Sequence, residues 1–312
     1  MRAVLIAGAG AVGRGFIAPM FAENNAIYFL EPDPVLLRSN TAEYDVVMRA
    51  DLAREVRGAV AIHPHSLYAL RNWPSIAAVF VCVGQENLDE CAWQLAPFLR
   101  LHPDLPVVVV ENVPRADAIV LSRLGFEHPV MPAIADCIIP EPNSERAAPW
   151  HTYGDANGKL VVARSHYRYL QRFLDCPEQL VPTDSWELDW DCKWLLHCAL
   201  HAVLGWLGVQ AGITYVWEAW SDREIQMCVR NIAHEVAAYL ENKYHDTAVY
   251  GRALLEFAAF ARAFPPDRCE RLVRNWRRKC LPGERLDDLR QVVRSPSVQK
   301  LLDQILAEGR NE

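Results

Sequence analysis

The chain lacks any excess of positive charge: 32 Lys and Arg stand against 39 Asp and Glu, a formal net charge of −7. That balance argues against a general nucleic-acid or anionic-membrane partner, while leaving room for a local basic pocket that takes a phosphorylated small molecule. An apolar run of membrane-spanning length is also missing. The longest, residues 194–209, carries two histidines and falls short of the ~20 residues that cross a bilayer, so no transmembrane helix is expected. Paired C-x-x-C spacing is absent too. The nine cysteines are an odd set that suits a reducing cytoplasm better than a disulfide framework, most of them acting as small buried hydrophobes. Residues 1–8 have the apolarity of a signal peptide but run straight into glycines without a convincing cleavage site, and read as a strand. There is no internal repeat or low-complexity stretch.

What is present is a core-forming composition, 51% hydrophobic and 23% charged over 312 residues, enough for two domains. Up to about residue 140, continuous apolar runs at 3–7, 26–30, 77–83 and 107–110 alternate with helical stretches, the pattern of parallel strands covered on both faces. Segment 129–140 is expected to end the sheet and lead away from it. Within 141–183, turn signals at 142–144 and 154–158 point to a small antiparallel piece plus a helix. After Trp186 the period becomes helical, at 189–209, 213–244, 248–264, 266–280 and 286–308.

Gly8, Gly10 and Gly13 are spaced G-x-G-x-x-G, after the first strand and at the opening of a helix. There they serve a tight turn, close approach of a pyrophosphate and helix-to-strand packing, with the helix N-terminus facing the phosphates. The second strand leads into Glu31, near the ~20-residue offset where a carboxylate receives ribose hydroxyls, which favours NAD over NADP. Asp33 is a second candidate for that role. Asn112, just beyond the fourth strand, sits where such sheets bind ligands; it reads either as a contact to the nicotinamide side or as a solvated loop residue. The fold expected is therefore α/β: a Rossmann doubly wound parallel sheet over 1–185, then a mostly α-helical domain over 186–312 for substrate and catalysis.

At about 100° per residue, Lys193, His197 and His201 share an arc of about 80° on an otherwise apolar helix, with Cys198 at its edge. A lysine there is either paired, with Asp189 or Asp191 at the helix start, or working. Burial disfavours the ammonium and lowers its pKa, which makes a lysine a general base near neutral pH. The His197-x-x-x-His201 spacing also admits a zinc site, but no Glu follows His197 as in metalloproteases and no cysteine pair completes a structural site; no metal is expected. Arg274, Arg277, Arg278 and Lys279 cluster late in the chain, as a phosphate site or a solvated basic face. Trp186, Trp190, Trp194, Trp206, Trp217 and Trp220 recur at helical spacing and read as core, not a platform for bases.

Several of these segments together resemble the polyol-specific long-chain dehydrogenases, the mannitol dehydrogenase family. Gly13-Arg14-Gly15-Phe16-Ile17 looks like the specific tail of that family's nucleotide fingerprint. Glu111-Asn112, residues 136–140, residues 218–225 and residues 271–286 resemble further segments, and Lys193 to His201 sits where the family has a lysine, an asparagine five residues on and a histidine eight on. The resemblance implies a cytoplasmic, zinc-independent NAD-dependent enzyme of carbohydrate metabolism, a monomer or small homo-oligomer. It would interconvert a sugar alcohol or its phosphate with the ketose, mannitol 1-phosphate and fructose 6-phosphate being the pair indicated. Lys193 would move the proton and His201 orient the oxygen. Arg14 and Phe16 would join the glycines, Glu31 and Asn112 at the cofactor, with Arg274, Arg278 and Lys279 on the substrate phosphate; Arg14 and Arg115 are alternative phosphate contacts. Two residues depart from the family: Cys198 replaces the asparagine and Cys137 an arginine. A thiol is a weak donor beside a carboxamide, a gap that His197 would partly fill. A catalytically impaired NAD-binding relative that senses a ligand, or a reductase of a different ketose or sugar acid, are the alternatives.

Overall fold

The computed structural model describes residues 2–37, 42–48, 53–64, 67, 75–137, 139, 152–155, 158–262 and 267–311. The chain divides into two compact units, Met1–Asp184 and Ser185–Glu312.

In the first unit six strands lie parallel in one sheet: β1 (Arg2–Ala7), β2 (Asn25–Leu30), β4 (Ala53–Ile62), β5 (Ile76–Val81), β6 (Val107–Val109) and β7 (Val130–Pro132), with β3 (Ala42–Met48) preceding β4 in the chain. Their lateral order is β7-β6-β5-β1-β2-β4. Numbered among themselves, these strands stand in the order 3-2-1-4-5-6 of dinucleotide-binding sheets, with the reversal of direction at β1. β1 alternates between two cores. Val4 and Ile6 pack with Phe16, Ile17 and Phe21 of the following helix, while Leu5 and Ala7 pack with Leu88, Leu95 and Leu99 of the helix Leu88–Arg100. Burial of both faces is why these strands are uniformly apolar.

Strands β3 and β4 were not legible. β4 reads Ala-Arg-Glu-Val-Arg-Gly-Ala-Val-Ala-Ile, in which a charged first half obscures the short apolar run at 59–62. Its last three residues extend the sheet beside Tyr28–Leu30, whereas its first part pairs antiparallel with β3. β9 (Thr152–Gly154) then adds to β3 in parallel. In the segment before the boundary the expected helix is present, Arg164–Leu170 after β10 (Lys159–Ala163), but the expected antiparallel piece is not confined to 141–183: β10 lies parallel to β11 (Leu180–Thr183) and finds its antiparallel partner in the earlier β8 (Ile134–Asp136). Residues 138 and 140–151 lie outside the described residues, so the resemblance at 136–140 is only partly covered.

The second unit is helical. Trp186–Gln210 is one continuous helix, and its middle part, Cys192–Ala199, is a π-helix. It is long and apolar enough to cross a membrane by length and composition, yet 78% of its most apolar window is buried in the protein. Three of the expected helices are interrupted. Residues 213–244 break at Asp222, whose extended backbone and side chain cap Arg223–Tyr244 by accepting from Glu224 N and Ile225 N, both at 3.0 Å. The 266–280 segment becomes two short helices, Cys269–Leu272 and Trp276–Lys279, because Asn275 takes a left-handed conformation at φ 55°. The last one divides before Pro296 into Arg285–Val292 and Pro296–Asn311.

Candidate active site

The glycine turn joins β1 to a helix over 11–21, and each glycine has a separate steric reason. Gly8 has φ 94°, and a Cβ there would lie 2.4 Å from the carbonyl oxygen of Cys82. At Gly13 a Cβ would lie 2.2 Å from Gly8 O, so the helix could not come down on the turn. Gly10 is exposed, with nothing within 4 Å of the position a Cβ would take. That open backbone is what close approach of a phosphate requires. The helix begins irregularly, with Gly13–Ile17 as a π-helix. Its Gly15 packs so tightly that a Cβ would meet Tyr153 O of β9 at 2.1 Å, and Phe16 is buried against Gly158. Phe16 therefore supports the turn from behind; Arg14 is half-buried.

Glu31 closes the other side of the turn. Its Oε2 accepts from Ala9 N at 2.8 Å and its Oε1 from Asp33 N at 3.0 Å, so Asp33 is tied to Glu31 through its backbone, its own carboxylate accepting from Val35 N. Between the two lies a cleft of about 280 Å³ at the carboxyl ends of β1, β2 and β5, walled by Leu30, Pro32, Pro64, Cys82 and Val83 and by the first turns of the helix Leu88–Arg100. A dinucleotide's adenosine half fits this arrangement: open backbone for phosphate, a carboxylate for ribose and apolar walls for a ring. Asn112 is half-buried in the loop after β6. Beside it Glu111, singled out only as part of the Glu111-Asn112 resemblance, accepts from Gly84 N at 2.7 Å and fastens that loop to the one after β5.

In the second unit Lys193 and His197 are 8% and 9% exposed, inside the π-helix. A ladder bonding i to i+5 holds more than four residues per turn, so residues four apart stay nearly eclipsed and Lys193 and His197 keep one face. The π geometry also alters the register between Lys193 and His201 from the one a regular α-helix gives. The acids proposed as partners for Lys193 have other cations: Asp189 pairs with Arg252, and Asp191 accepts from Lys243 Nζ at 2.6 Å and Tyr244 OH at 2.7 Å.

His201, one turn on, faces the short helix Cys269–Leu272. Glycine makes that approach possible, since a Cβ at Gly205 would lie 2.4 Å from Leu272 and one at Gly208 2.5 Å from Cys269 Sγ. The contact brings His201 Nε2 to 3.9 Å from the buried carboxylate of Asp267, which Arg271 engages with both its Nε and Nη2. Burial, with Arg271, Lys193, Lys279 and His197 nearby, pushes the His201 imidazole well below its usual range. At neutral pH it is uncharged, a hydrogen-bonding group and not a proton source.

The late basic cluster divides. Arg274 and Arg277 are exposed, whereas Arg278 and Lys279 are half-buried. Lys279 Nζ donates to Leu272 O. Burial first, then repulsion from Arg285, Arg278 and Arg271, lowers its pKa to about 7, with Cys198 acting in the opposite sense. Lys279 was expected only as a phosphate contact; the signal for more was its place at the end of a basic run, followed by the apolar Cys280 and Leu281. Cys198 is partly exposed and Cys137 half-buried, the latter against Gly158. Of the tryptophans, Trp194 and Trp206 are core, and Trp186, Trp190 and Trp194 stack in file with Arg285 over Trp194 at 5.0 Å. Trp217 is 49% exposed. Among the described residues no group of three or more His, Cys, Asp and Glu is placed to hold a metal ion.

No family model matches the chain. Solved structures do. The ternary complex of Pseudomonas fluorescens mannitol 2-dehydrogenase with NAD and D-mannitol superposes with a TM-score of 0.68 at 13% identity, covering 99% of this chain and 79% of that one. A substrate-free D-sorbitol dehydrogenase gives 0.68 at 12%, covering 98% and 80%. D-mandelate dehydrogenase with NADH and anilino(oxo)acetate gives 0.65 at 11%, covering 100% and 98%. At such identities the likeness is one of fold, and the fold is that of dehydrogenases with a nucleotide-binding sheet followed by a helical domain.

Proposed function

We propose that the chain is an NAD-dependent oxidoreductase that interconverts a sugar alcohol carrying an anionic group with its ketose, mannitol 1-phosphate and fructose 6-phosphate being the preferred pair. The observation that carries this reading is the glycine turn, open at Gly10 and closed by Glu31, in the same chain as a buried lysine and histidine on a π-helix. π-Helical residues make up well under 1% of ordinary proteins and recur at functional sites. The two stretches here, Gly13–Ile17 and Cys192–Ala199, hold the two segments singled out on chemical grounds.

Gly8, Gly10, Gly13 and Glu31 would hold the cofactor's adenosine and phosphates, with Arg14 as a further phosphate contact and Asn112 toward the nicotinamide. NAD supplies the hydride acceptor or donor, which no side chain can replace. The protein's own task is then one proton and one orientation. Lys193 takes the hydroxyl proton during oxidation and returns it during ketone reduction. His201, uncharged, holds the reacting oxygen by a hydrogen bond and does not compete for that proton. Lys279 and Arg278 receive the anionic group, while Arg271, held by Asp267, sets the field around them. Cys198 offers the substrate oxygen less than a carboxamide would, and His197 beside it takes over part of that contact.

The test is turnover. NADH oxidation with fructose 6-phosphate should exceed that with fructose by well over tenfold in kcat/KM, and Lys193→Ala should lower kcat by a factor of about 100 to 10,000. NADH binding without turnover on any hexulose, hexulose phosphate or hexuronate would replace this reading with that of a ligand-sensing relative. Preference for a hexuronate would assign the same cations to a carboxylate; the D-mandelate dehydrogenase likeness, which runs over nearly the full length of both chains, favours that as the second reading.

A further inference from the structure

We infer that Glu90 reads the base of the bound dinucleotide, accepting a hydrogen bond from the exocyclic amine of adenine. This rests on the proposal that the cleft of the first unit takes NAD. Of the side chains lining that cleft, Glu31 is bound to the glycine turn and faces the ribose position. The other walls, Pro64, Cys82, Val83 and Cys91, are apolar and suit the faces of a purine. A purine seated there still presents polar edges, and an edge left without a partner costs affinity.

Among the described residues the polar side chains lining the cleft besides Glu31 are Asn87, Glu90 and Gln94. Asn87 Nδ2 donates to Val83 O at 2.7 Å, which holds that amide to the backbone, and Glu90 is the carboxylate among these three side chains. Gln94 Nε2 donates to Glu90 Oε1 at 2.7 Å, one helical turn away. That bond engages Oε1 of the Glu90 carboxylate, which lines the cleft, and Oε2 carries no hydrogen bond among the described residues. An acceptor suits the amine of adenine and rejects the carbonyl that hypoxanthine carries at the same ring position, because two acceptors then face each other. Glu90 also puts a second negative charge beside Glu31 in the cleft, which adds to the rejection of a 2′-phosphate.

The experiment compares the Kd of NADH and of reduced nicotinamide hypoxanthine dinucleotide, by calorimetry, for the full-length protein and for Glu90→Ala. Glu90 is exposed, so the substitution leaves folding intact, which thermal melting verifies. The intact protein should bind NADH about tenfold more tightly than the hypoxanthine analogue. Glu90→Ala should bring the two within about twofold of each other, by weakening NADH and by relieving the repulsion against the analogue. Equal affinity of the intact protein for both dinucleotides, or a preference that survives Glu90→Ala, overturns the assignment while leaving the cleft as a dinucleotide site. Failure of the intact protein to bind either one removes the assignment together with the cofactor reading beneath it.

Discussion

Lys279 shows how a residue's role is set by what surrounds it and not by its type. Its ammonium is removed from water and ringed by Arg285, Arg278 and Arg271, and its pKa falls to about 7. If this ammonium holds the substrate's anionic group, the favourable form is the protonated one, so binding is strongest below pH 7 and weakens as pH rises through it. KM for a phosphorylated hexulose should therefore climb several-fold between about pH 6 and about pH 9, and Lys279→Arg, whose guanidinium stays charged throughout, should flatten that rise. An identical profile in the Arg variant would exclude Lys279 as the titrating group. The same shift has a stability consequence with a definite sign. A free lysine titrates near 10.4, so between about pH 7 and that value the unfolded chain binds more protons than the folded one, and stability increases with pH across the window. Lys279→Met should remove this slope and raise Tm at pH 7 by on the order of a few degrees, even as it costs substrate affinity.

At the scale of elements, the glycine turn separates folding from binding within a few residues. Gly13→Ala drives a Cβ to 2.2 Å from Gly8 O and 3.3 Å from Ile6 Cγ2; overpacking of that kind costs about 1–3 kcal/mol and should appear as a lower urea midpoint. Gly10→Ala meets no neighbour and should melt like the unaltered protein while losing at least tenfold in NADH affinity, since the new methyl occupies the approach of the phosphates. If both variants bind NADH normally, the turn is structural only. This turn was legible in the sequence because its constraints are local: a strand, three spaced glycines, a helix. The covered strands at residues 2–7 and 107–109 were legible for the same reason, their apolarity being imposed on both faces. Strand β4 was not, because its half that joins the main sheet borrows its pairing from distant β2 and its other half belongs to a hairpin. The helix breaks at Asp222 and Asn275 were missed for a different reason. A capping aspartate and a left-handed asparagine both sit inside apolar periods that continue across them, and only the backbone reveals the turn. The π-helix around Lys193 could not be read at all: an α-helical wheel brings Lys193, His197 and His201 to one face, and the change to i to i+5 bonding has no composition of its own.

For the molecule as a whole, the division into Met1–Asp184 and Ser185–Glu312 makes the location of the nucleotide testable without a crystal. The cleft, the glycine turn and Glu31 all belong to the first unit, and every candidate proton-transfer residue belongs to the second. A ligand that binds only the folded form of one unit stabilises that unit by RT ln(1 + [L]/Kd), about 2.7 kcal/mol at a hundredfold excess over Kd. Urea-dependent proteolysis with fragments identified by mass should therefore show NADH moving the cleavage midpoint of residues 1–184 upward by about one molar or more, given urea slopes of about 1–3 kcal/mol/M. Glu31→Ala, which removes the acceptor for Ala9 N as well as for the ribose, should reduce that movement at a fixed NADH concentration, while Lys193→Ala should leave it intact. The pair of variants isolates the cause, because both change a charged side chain but only one borders the cleft. Protection confined to residues 185–312, or equal loss of protection in both variants, would place the nucleotide outside the first unit and leave the glycine turn without a ligand.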